Sequence, residues 1–528
     1  MSTEALRPPA GIADPALLRR TAELAIGFLE SLDERPVGAT ASRDQLLTEL
    51  GGPLPRAGTP ADEVIEHLVR SADAGLIAIP GPRYFGFVIG GSLPAALAAD
   101  WLTSAWDQNA GIFACGPAAS VVEEVAGAWL VELLGLPEGT SVGFTTGCQM
   151  AHFTCLGAAR HAVLSRFGWD VEERGLFGAP EITVVVGSET HATIPTALQF
   201  LGLGRSRSVV VDSDDQGRLR LDRLEAALPS DDSPLIVCLQ AGNVNTGAFD
   251  PIGPAIELIR ARCPRAWVHI DGAFGLWAAA DPARRHLLAG HDGADSWATD
   301  GHKWLNVPYD CGYAFVRDPA AHSAAMSPQS AAYITYGQAE RDEFRWVPEY
   351  SRRARGFATY AALRSLGQDG VAAMIDRCCR LAERMADALR SAGDGIEVLN
   401  DVVLDQVLVR FTSPGGDAAA GSRAAPTTRP TPTIERGGSS RRCRTTARAG
   451  SVAPSGTAWP RCASPSSTGP PRKPTSTAPP PRSWPPTGRS DDATSRVLHH
   501  PHSGRDVRGR AGRPRRLRAG RAGASLRQ

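Results

Sequence analysis

The chain has 528 residues, of which 42% are apolar and 21% charged, with a formal net charge of zero. That is enough for a large core and two or three domains, and it excludes collagen-like, coiled-coil and wholly disordered classes. No apolar run reaches the ~18 residues of a membrane span, and the opening stretch MSTEALRPPAGIADPALLRR lacks a basic-then-apolar leader pattern, so a cytoplasmic protein is expected.

In chain order, residues 15–33 carry apolar side chains at helical spacing. A Pro/Gly-rich connector follows, and 61–73, 93–106 and 118–135 read as further helices. From 140 to 320 short β-branched runs alternate with helical stretches. The runs are 182–187, 208–212, 234–240, 266–271 and 312–316. Continuous apolar strands separated by helices predict an α/β domain with a mostly parallel sheet covered on both faces. Residues 357–393 predict a long helical region and 407–411 a strand. After about residue 413 Pro, Ser, Thr and Arg dominate and periodicity vanishes.

The zero net charge conceals a split, because residues 414–528 hold 22 basic and five acidic residues. Only two of the 56 basic residues are lysines, Lys303 and Lys473. Arginine keeps its proton at physiological pH, whereas a lysine amine can lose it and attack a carbonyl. A lysine retained where arginine has replaced the others is a candidate nucleophile, with chance retention as the plain alternative. The ten cysteines show no C-x-x-C spacing, so neither a disulfide scaffold nor a metal site is expected.

Three segments fall at predicted strand ends, where an open α/β sheet holds its ligands. HIDGAFG (269–275) ends a strand in Asp271, an acid that could bind a metal, cap a helix or pair with a cationic heterocycle. TDGHKWLNVPYDCG (299–312) places Lys303 between His302 and Trp304; a surface lysine is its plain reading. GFTTGCQMAHFTCLGAARH (143–161) is a small-residue turn opening a helix, where free N–H groups could hold a phosphate; no Walker G-K-[ST] follows. A phosphate cradle, then an aspartate ending a strand, then a lysine is the ordering of a pyridoxal-phosphate site.

The stretch 76–411 resembles the group II pyridoxal-phosphate decarboxylases, which include the aromatic-amino-acid and glutamate decarboxylases. The resemblance rests on RYFGFVIGGSLPAALAAD, GSETHATIPTALQFLGLG, AGNVNTGAFDPI, HIDGAFGLWA, TDGHKWLNVPYDCG and SRRARGFATYAALRSLG. It implies the fold-type-I architecture: a large domain with a mostly parallel seven-stranded sheet, a helical N-terminal extension and a small C-terminal domain. The expected division is 1–75 for the extension, 76–355 for the large domain and 356–413 for the start of an incomplete small domain. The implied reaction is decarboxylation of an L-amino acid to its amine. It would run through a Schiff base on Lys303 and a quinonoid.

The resemblance also implies roles. Asp271 matches the aspartate that pairs with the pyridine nitrogen, and His191 the histidine stacked on the ring. Cys148, Gln149 and His302 fall on the phosphate side, with Cys148 and Gln149 departing from the family's small hydroxylated residues. Asn243 and Thr246 sit in the loop on the 3′-hydroxyl side. Tyr333, or Tyr336 close by, matches the tyrosine that protonates the α-carbon. Arg352, Arg353 and Arg355 match a basic patch, with a solvated charged turn as the alternative. Phe87, Val88 and Ile89 are candidates for lining an apolar or aromatic substrate pocket, with core packing as the alternative. A homodimer is expected, and membrane and nucleic-acid partners are not. Two alternatives remain: an aldehyde synthase or carbon–carbon lyase on the same cofactor, and a catalytically dead scaffold whose polybasic tail binds nucleic acid.

The tail has its own reading, as a disordered basic segment arising from a shifted frame. Trp459–Pro460 must be encoded TGG-CCN, which read from the third base gives alanine whatever the last base. Read that way, 446–484 is compatible with strand and helix patterning like that of the missing small domain. The slip is expected around 414–430.

Overall fold

The computed structural model describes residues 14–327, 340–393 and 395–412. Tyr333, Tyr336 and the whole of 414–528 therefore lie outside the described residues. The chain begins with helices α1 (Pro15–Glu30), α2 (Arg43–Leu50), α3 (Ala61–Ala72), α4 (Pro94–Trp106) and α5 (Pro117–Leu133). Alternating elements follow: β1 (Ser141–Thr145), α6 (Cys148–Ser165), α7 (Val171–Arg174), β2 (Thr183–Gly187), α8 (Thr193–Phe200), β3 (Val209–Val211), α9 (Leu221–Ala227), β4 (Leu235–Gln240), α10 (Ile252–Arg262) and β5 (Trp267–Asp271). The order closes with β6 (Ser296–Asp300), β7 (Gly312–Val316), α11 (Pro319–Met326), α12 (Gly356–Ser391), β8 (Ile396–Val398) and β9 (Val409–Phe411).

Seven strands form one sheet in the order β1-β7-β6-β5-β4-β2-β3. Strands β2 to β6 pair in parallel, and β7 runs antiparallel between β1 and β6. The two neighbours of β7 therefore run parallel to each other, so β1, β5 and β6 all end at one edge of the sheet. The expected mostly parallel sheet is what the chain builds.

Apart from the edge strand β3, where Val209 and Val210 are exposed, both faces are buried, which is why the strands read as continuous apolar runs. Alternate residues serve opposite cores. Val185, Val237, Val268, Ile270, Trp297 and Phe315 pack with α5, α10 and α12. Val184, Val186, Ile236, Trp267, Ala298 and Val316 pack with α6, α8 and α11.

Four elements differ from expectation. Strands β1 (SVGFT) and β6 (SWATD) carry Gly, Ser, Thr and Asp in place of a β-branched run, yet every residue in them is buried. Helix α2 lies within the Pro/Gly-rich connector and is held by a capping box between Ser42 and Gln45. The long helix α12 is interrupted at Gly367, whose φ of 62° lies in the left-handed region that glycine tolerates.

The expected basic patch at Arg352, Arg353 and Arg355 is corrected by the structure. Arg352 and Glu123 have side chains only 1% and 0% exposed. Arg352 Nη1 donates to both Glu123 carboxylate oxygens at 2.8 Å, and Nη2 donates to the Phe144 carbonyl at 2.7 Å. Arg353 pairs with Asp100 and Arg355 with Asp310. These arginines tie α4, α5 and the lysine-bearing loop to the segment leading into α12. Neither a solvated turn nor a free basic patch describes them.

Removing one partner of the Arg352–Glu123 pair leaves an uncompensated buried charge, which costs about 3–5 kcal/mol. Arg352→Met and Glu123→Met should each lower the unfolding free energy by that amount, read from the shift of the urea midpoint. The double variant should recover most of the loss.

Candidate active site

The site is built where β1, β5 and β6 end. Strand β6 ends in Asp300, and the chain turns through Gly301, His302 and Lys303. The segment 90–93 clamps this turn. Gly90 N–H donates to the His302 carbonyl at 3.0 Å, Gly91 N–H to Asn306 Oδ1 at 2.7 Å, and Leu93 N–H to the Asn306 carbonyl at 2.8 Å. A Cβ on Gly90 would lie 2.2 Å from the Lys303 carbonyl oxygen, so the close approach requires glycine. Behind the turn, buried Trp304 donates its indole N–H to Asp405 Oδ2 at 2.8 Å.

Lys303 Nζ lies 3.2 Å from Asp300 Oδ2, with both side chains largely buried. Burial alone would lower the amine's pKa, but Asp300 first, with Cys148 and Asp271, outweighs it and holds the ammonium above its usual value. The Phe274 ring lies 5.7 Å from Nζ. Asp271, ending β5, is 5% exposed. Burial would raise its pKa, yet His152, His191 and Lys303 hold the carboxyl well below the usual range. The acid at the bottom of the site is thus an anion, and the amine at its side a cation.

Helix α6 starts beside them without a side-chain cap. Cys148 N–H donates to Asp300 Oδ1 at 2.6 Å. The Cys148 thiol, whose pKa burial raises well above its usual value, lies with a His152 nitrogen and an Asp271 oxygen within 4.8 Å of one another. His302 is buried and stacked on Tyr309, with ring centroids 4.2 Å apart. Its Nδ1 accepts the Cys311 N–H at 3.3 Å, which leaves Nε2, 3.5 Å from Asp300 Oδ1, as the proton-bearing nitrogen. A Cβ on Gly147 would meet this ring at 3.0 Å, so His302 lies against the start of α6. Gln149, in the first turn, reaches the Thr193 carbonyl at 3.5 Å.

His191 is exposed and sits just before α8, its Nδ1 2.9 Å from Thr193 Oγ1, within electrostatic reach of Asp271 and Lys303. Asn243 and Thr246 are buried, and their polar atoms build the turn after β4. Asn243 Oδ1 accepts the Asn245 and Thr246 N–H groups, and Thr246 Oγ1 donates to the Gln216 carbonyl at 2.6 Å. Phe87 is 77% exposed, and Val88 packs against the core.

The structure therefore brings together Lys303, Asp271, Cys148 and His302 and sets His191 at their edge. The sequence reading missed three members. Asp300, three residues before Lys303, ties the amine to the start of α6. His152 lies one turn after Cys148 on the same helix face, and His269 lies two residues before Asp271 on the same strand face. Those i,i+4 and i,i+2 spacings were the signals that could have found the histidines.

A buried anion, an amine beside it and an uncapped helix start define a class, the pyridoxal-phosphate enzymes of fold type I. The donor set fits the cofactor: the Asp271 anion for a cationic ring nitrogen, Lys303 for the aldehyde, and the α6 start with the His302 N–H for a phosphate. The pyridoxal-dependent decarboxylase conserved domain matches residues 48–412, and the chain belongs to that family. It is 27% identical to the aromatic-L-amino-acid decarboxylase of Bacillus atrophaeus, over 74% of this chain and 80% of the relative. It is 26% identical to the acidic amino acid decarboxylase GADL1 of Homo sapiens, over 65% and 66%. The structure of Oryza sativa TDC with PLP and tryptamine superposes with a TM-score of 0.71 at 25% identity, over 78% of this chain and 86% of that one. The chain is accordingly a pyridoxal-phosphate-dependent carboxy-lyase acting on an amino acid.

Two buried histidines give the fold an acid-side limit. Burial pushes both His269 and His322 down to about 3 from an ordinary 6.5. The unfolded chain takes up these protons first, so the stability is fully present above pH 6.5 and is lost as pH falls towards 3. The cofactor-free protein should lose up to roughly 1.4 kcal/mol per pH unit for each histidine in that window. Burial also pushes Asp250 up to about 6 and Glu343 up to about 7, and these act with the opposite sign in the same window. The histidine part is therefore read as the difference between wild type and His322→Gln in urea melts at pH 7, 6 and 5; equal pH slopes for the two would contradict the assignment.

Proposed function

We propose that Lys303, Asp271, His191, Cys148, Gln149, Asn243, Thr246 and His302 form the cofactor site of this decarboxylase, with Lys303 as the attachment point. The observation that carries the reading is the buried Lys303–Asp300 pair, 3.2 Å apart, beside the ionised Asp271. Bound there, pyridoxal phosphate supplies the electron sink that lets the α-carboxylate leave as CO₂.

The chain's own residues do the rest. Asp300 Oδ2 holds the Lys303 ammonium in place, and its proton must leave before the lone pair is available. Asp271 keeps a fixed negative charge opposite the ring nitrogen and so favours the protonated, electron-withdrawing ring. The His302 Nε2–H and the Gln149 N–H at the start of α6 would hold the phosphate, beside the Cys148 N–H that Asp300 Oδ1 accepts. Asn243 and Thr246 shape the turn after β4 that would lie on the hydroxyl side, and His191 would cover the open face. Tyr333 or Tyr336 is the proposed proton donor to the α-carbon; both lie outside the described residues.

A cytoplasmic homodimer fits this reading. No helix among the described residues is long and apolar enough to cross a membrane. The N-terminal helices leave Leu18, Ile26, Leu47, Leu68 and Trp101 exposed, which suits burial against a second copy. The division into 1–75, 76–355 and 356–413 is retained. The tail from 414 is proposed to be read out of frame. Support comes from the family match, which stops at residue 412, where the composition changes.

Purified protein supplied with pyridoxal phosphate should gain a visible absorption band that borohydride abolishes, and Lys303→Ala should lack it. Loss of CO₂ release from every member of an amino-acid panel in Lys303→Ala, with wild type active on one, completes the test. An aromatic substrate and an acidic one are the two arms of that panel. Resequencing the gene decides the frame: a single inserted or deleted base between 414 and 430 is expected, and an uninterrupted frame that encodes the tail in related genes would contradict it.

A further inference from the structure

Behind Asp271 runs a chain of buried polar groups that the decarboxylation chemistry does not itself use. His152 Nε2 lies 3.4 Å from Asp271 Oδ1, longer than a well-formed hydrogen bond. On its other side His152 Nδ1 lies 3.0 Å from His269 Nε2, the two rings at 90°. His269 Nδ1 lies 2.9 Å from Ser296 Oγ, and Ser296 Oγ accepts the Trp267 indole N–H at 2.8 Å. His152, His269 and Ser296 are 0% exposed and Trp267 is 1% exposed.

One arrangement of protons satisfies every group along this chain, starting from its two ends. Trp267 can only donate, and an ionised carboxylate can only accept. In the inferred arrangement Ser296 receives from Trp267 and gives its own hydrogen to His269 Nδ1. His269, neutral by burial, then carries its proton on Nε2 and donates to His152 Nδ1. That leaves the neutral His152 ring with its proton on Nε2, aimed at Asp271. Every donor has one acceptor, and no group need be charged except the carboxylate.

We propose that His152 is a positioning residue for Asp271: held in the Nε2–H tautomer by His269, Ser296 and Trp267, it points a buried N–H at the carboxylate and keeps that carboxylate ionised and oriented toward the cofactor's ring nitrogen. The proposal rests on the reading that Asp271 faces that nitrogen. Helix α6 thereby does two tasks, presenting its first turn to the phosphate side and its second turn to the far side of the ring-facing acid.

Two measurements test it. In ¹⁵N-histidine NMR of the cofactor-free wild-type protein at neutral pH, assigned with His152→Gln, His152 should be neutral with its hydrogen on Nε2. An imidazolium, or an Nδ1–H tautomer, would overturn the proposal. In binding titrations, His152→Leu should weaken pyridoxal phosphate by about tenfold or more while leaving unchanged the analogue whose ring nitrogen is replaced by C–H. His152→Gln, which keeps an N–H at the same reach, should restore most of the lost affinity. Equal losses for cofactor and analogue would show a packing defect and sink the proposal. Asp271→Asn separates the two readings. If it discriminates cofactor from analogue and His152→Leu does not, the positioning role fails alone. If neither discriminates, the Asp271 reading fails with it. Should the leucine variant not fold, the wild-type tautomer still decides.

Discussion

A negative charge held inside the protein at the end of β5 is the constraint on which the site depends. An isolated buried carboxylate would take up a proton, because burial disfavours the charged form. Asp271 is kept ionised by what surrounds it: His152 from α6, His191 from the loop before α8, and Lys303 from the turn after β6. Three separate elements must therefore converge on one strand end, and the sheet order makes that possible. Strand β6 is the direct neighbour of β5, and β1 lies beyond β7 on the same side, so the turn with Lys303 and the start of α6 open at the same edge as Asp271.

Asp300 joins the two halves of that arrangement. One carboxylate oxygen takes the first free N–H of α6, and the other faces the Lys303 amine. The proposed attachment amine is thus held as a cation by the acid beside it. The same acid stands at the anion-favouring end of the helix. The scaffold behind is rigid for ordinary reasons. Gly90 allows a strap to cross the lysine turn, Trp304 is fixed by Asp405, and the buried Arg352–Glu123 pair joins the loop before α12 to α5.

Much of this was legible in the sequence, and the exceptions are instructive. The apolar runs announced β2, β4, β5 and β7, because strands buried on both faces need apolar side chains at every position; β3 was announced by the same pattern although Val209 and Val210 are exposed at the sheet edge. Strands β1 and β6 were missed because they carry small and polar residues, needed where backbone approaches backbone and where the site begins. Lys303 stood out through the replacement of nearly every other lysine by arginine, and Asp271 through its place at a strand end. Asp300, His152 and His269 were hidden for one reason: a polar residue acting on another across the fold leaves no local pattern. The arginines at 352, 353 and 355 misled in the opposite way. Adjacent in sequence, they suggest a patch, yet each points to a different acid, and the fold separates what the chain lists together.

The central claim is that one amine, at position 303, carries the cofactor. The chain's composition makes this unusually direct to check, since the alternatives are Lys473 and the N-terminal amine. Borohydride reduction of the cofactor-loaded protein, followed by peptide mass mapping, should place a single pyridoxyl label on the peptide containing Lys303. A label confined to Lys473 or the N-terminus, or none at all, would contradict the account.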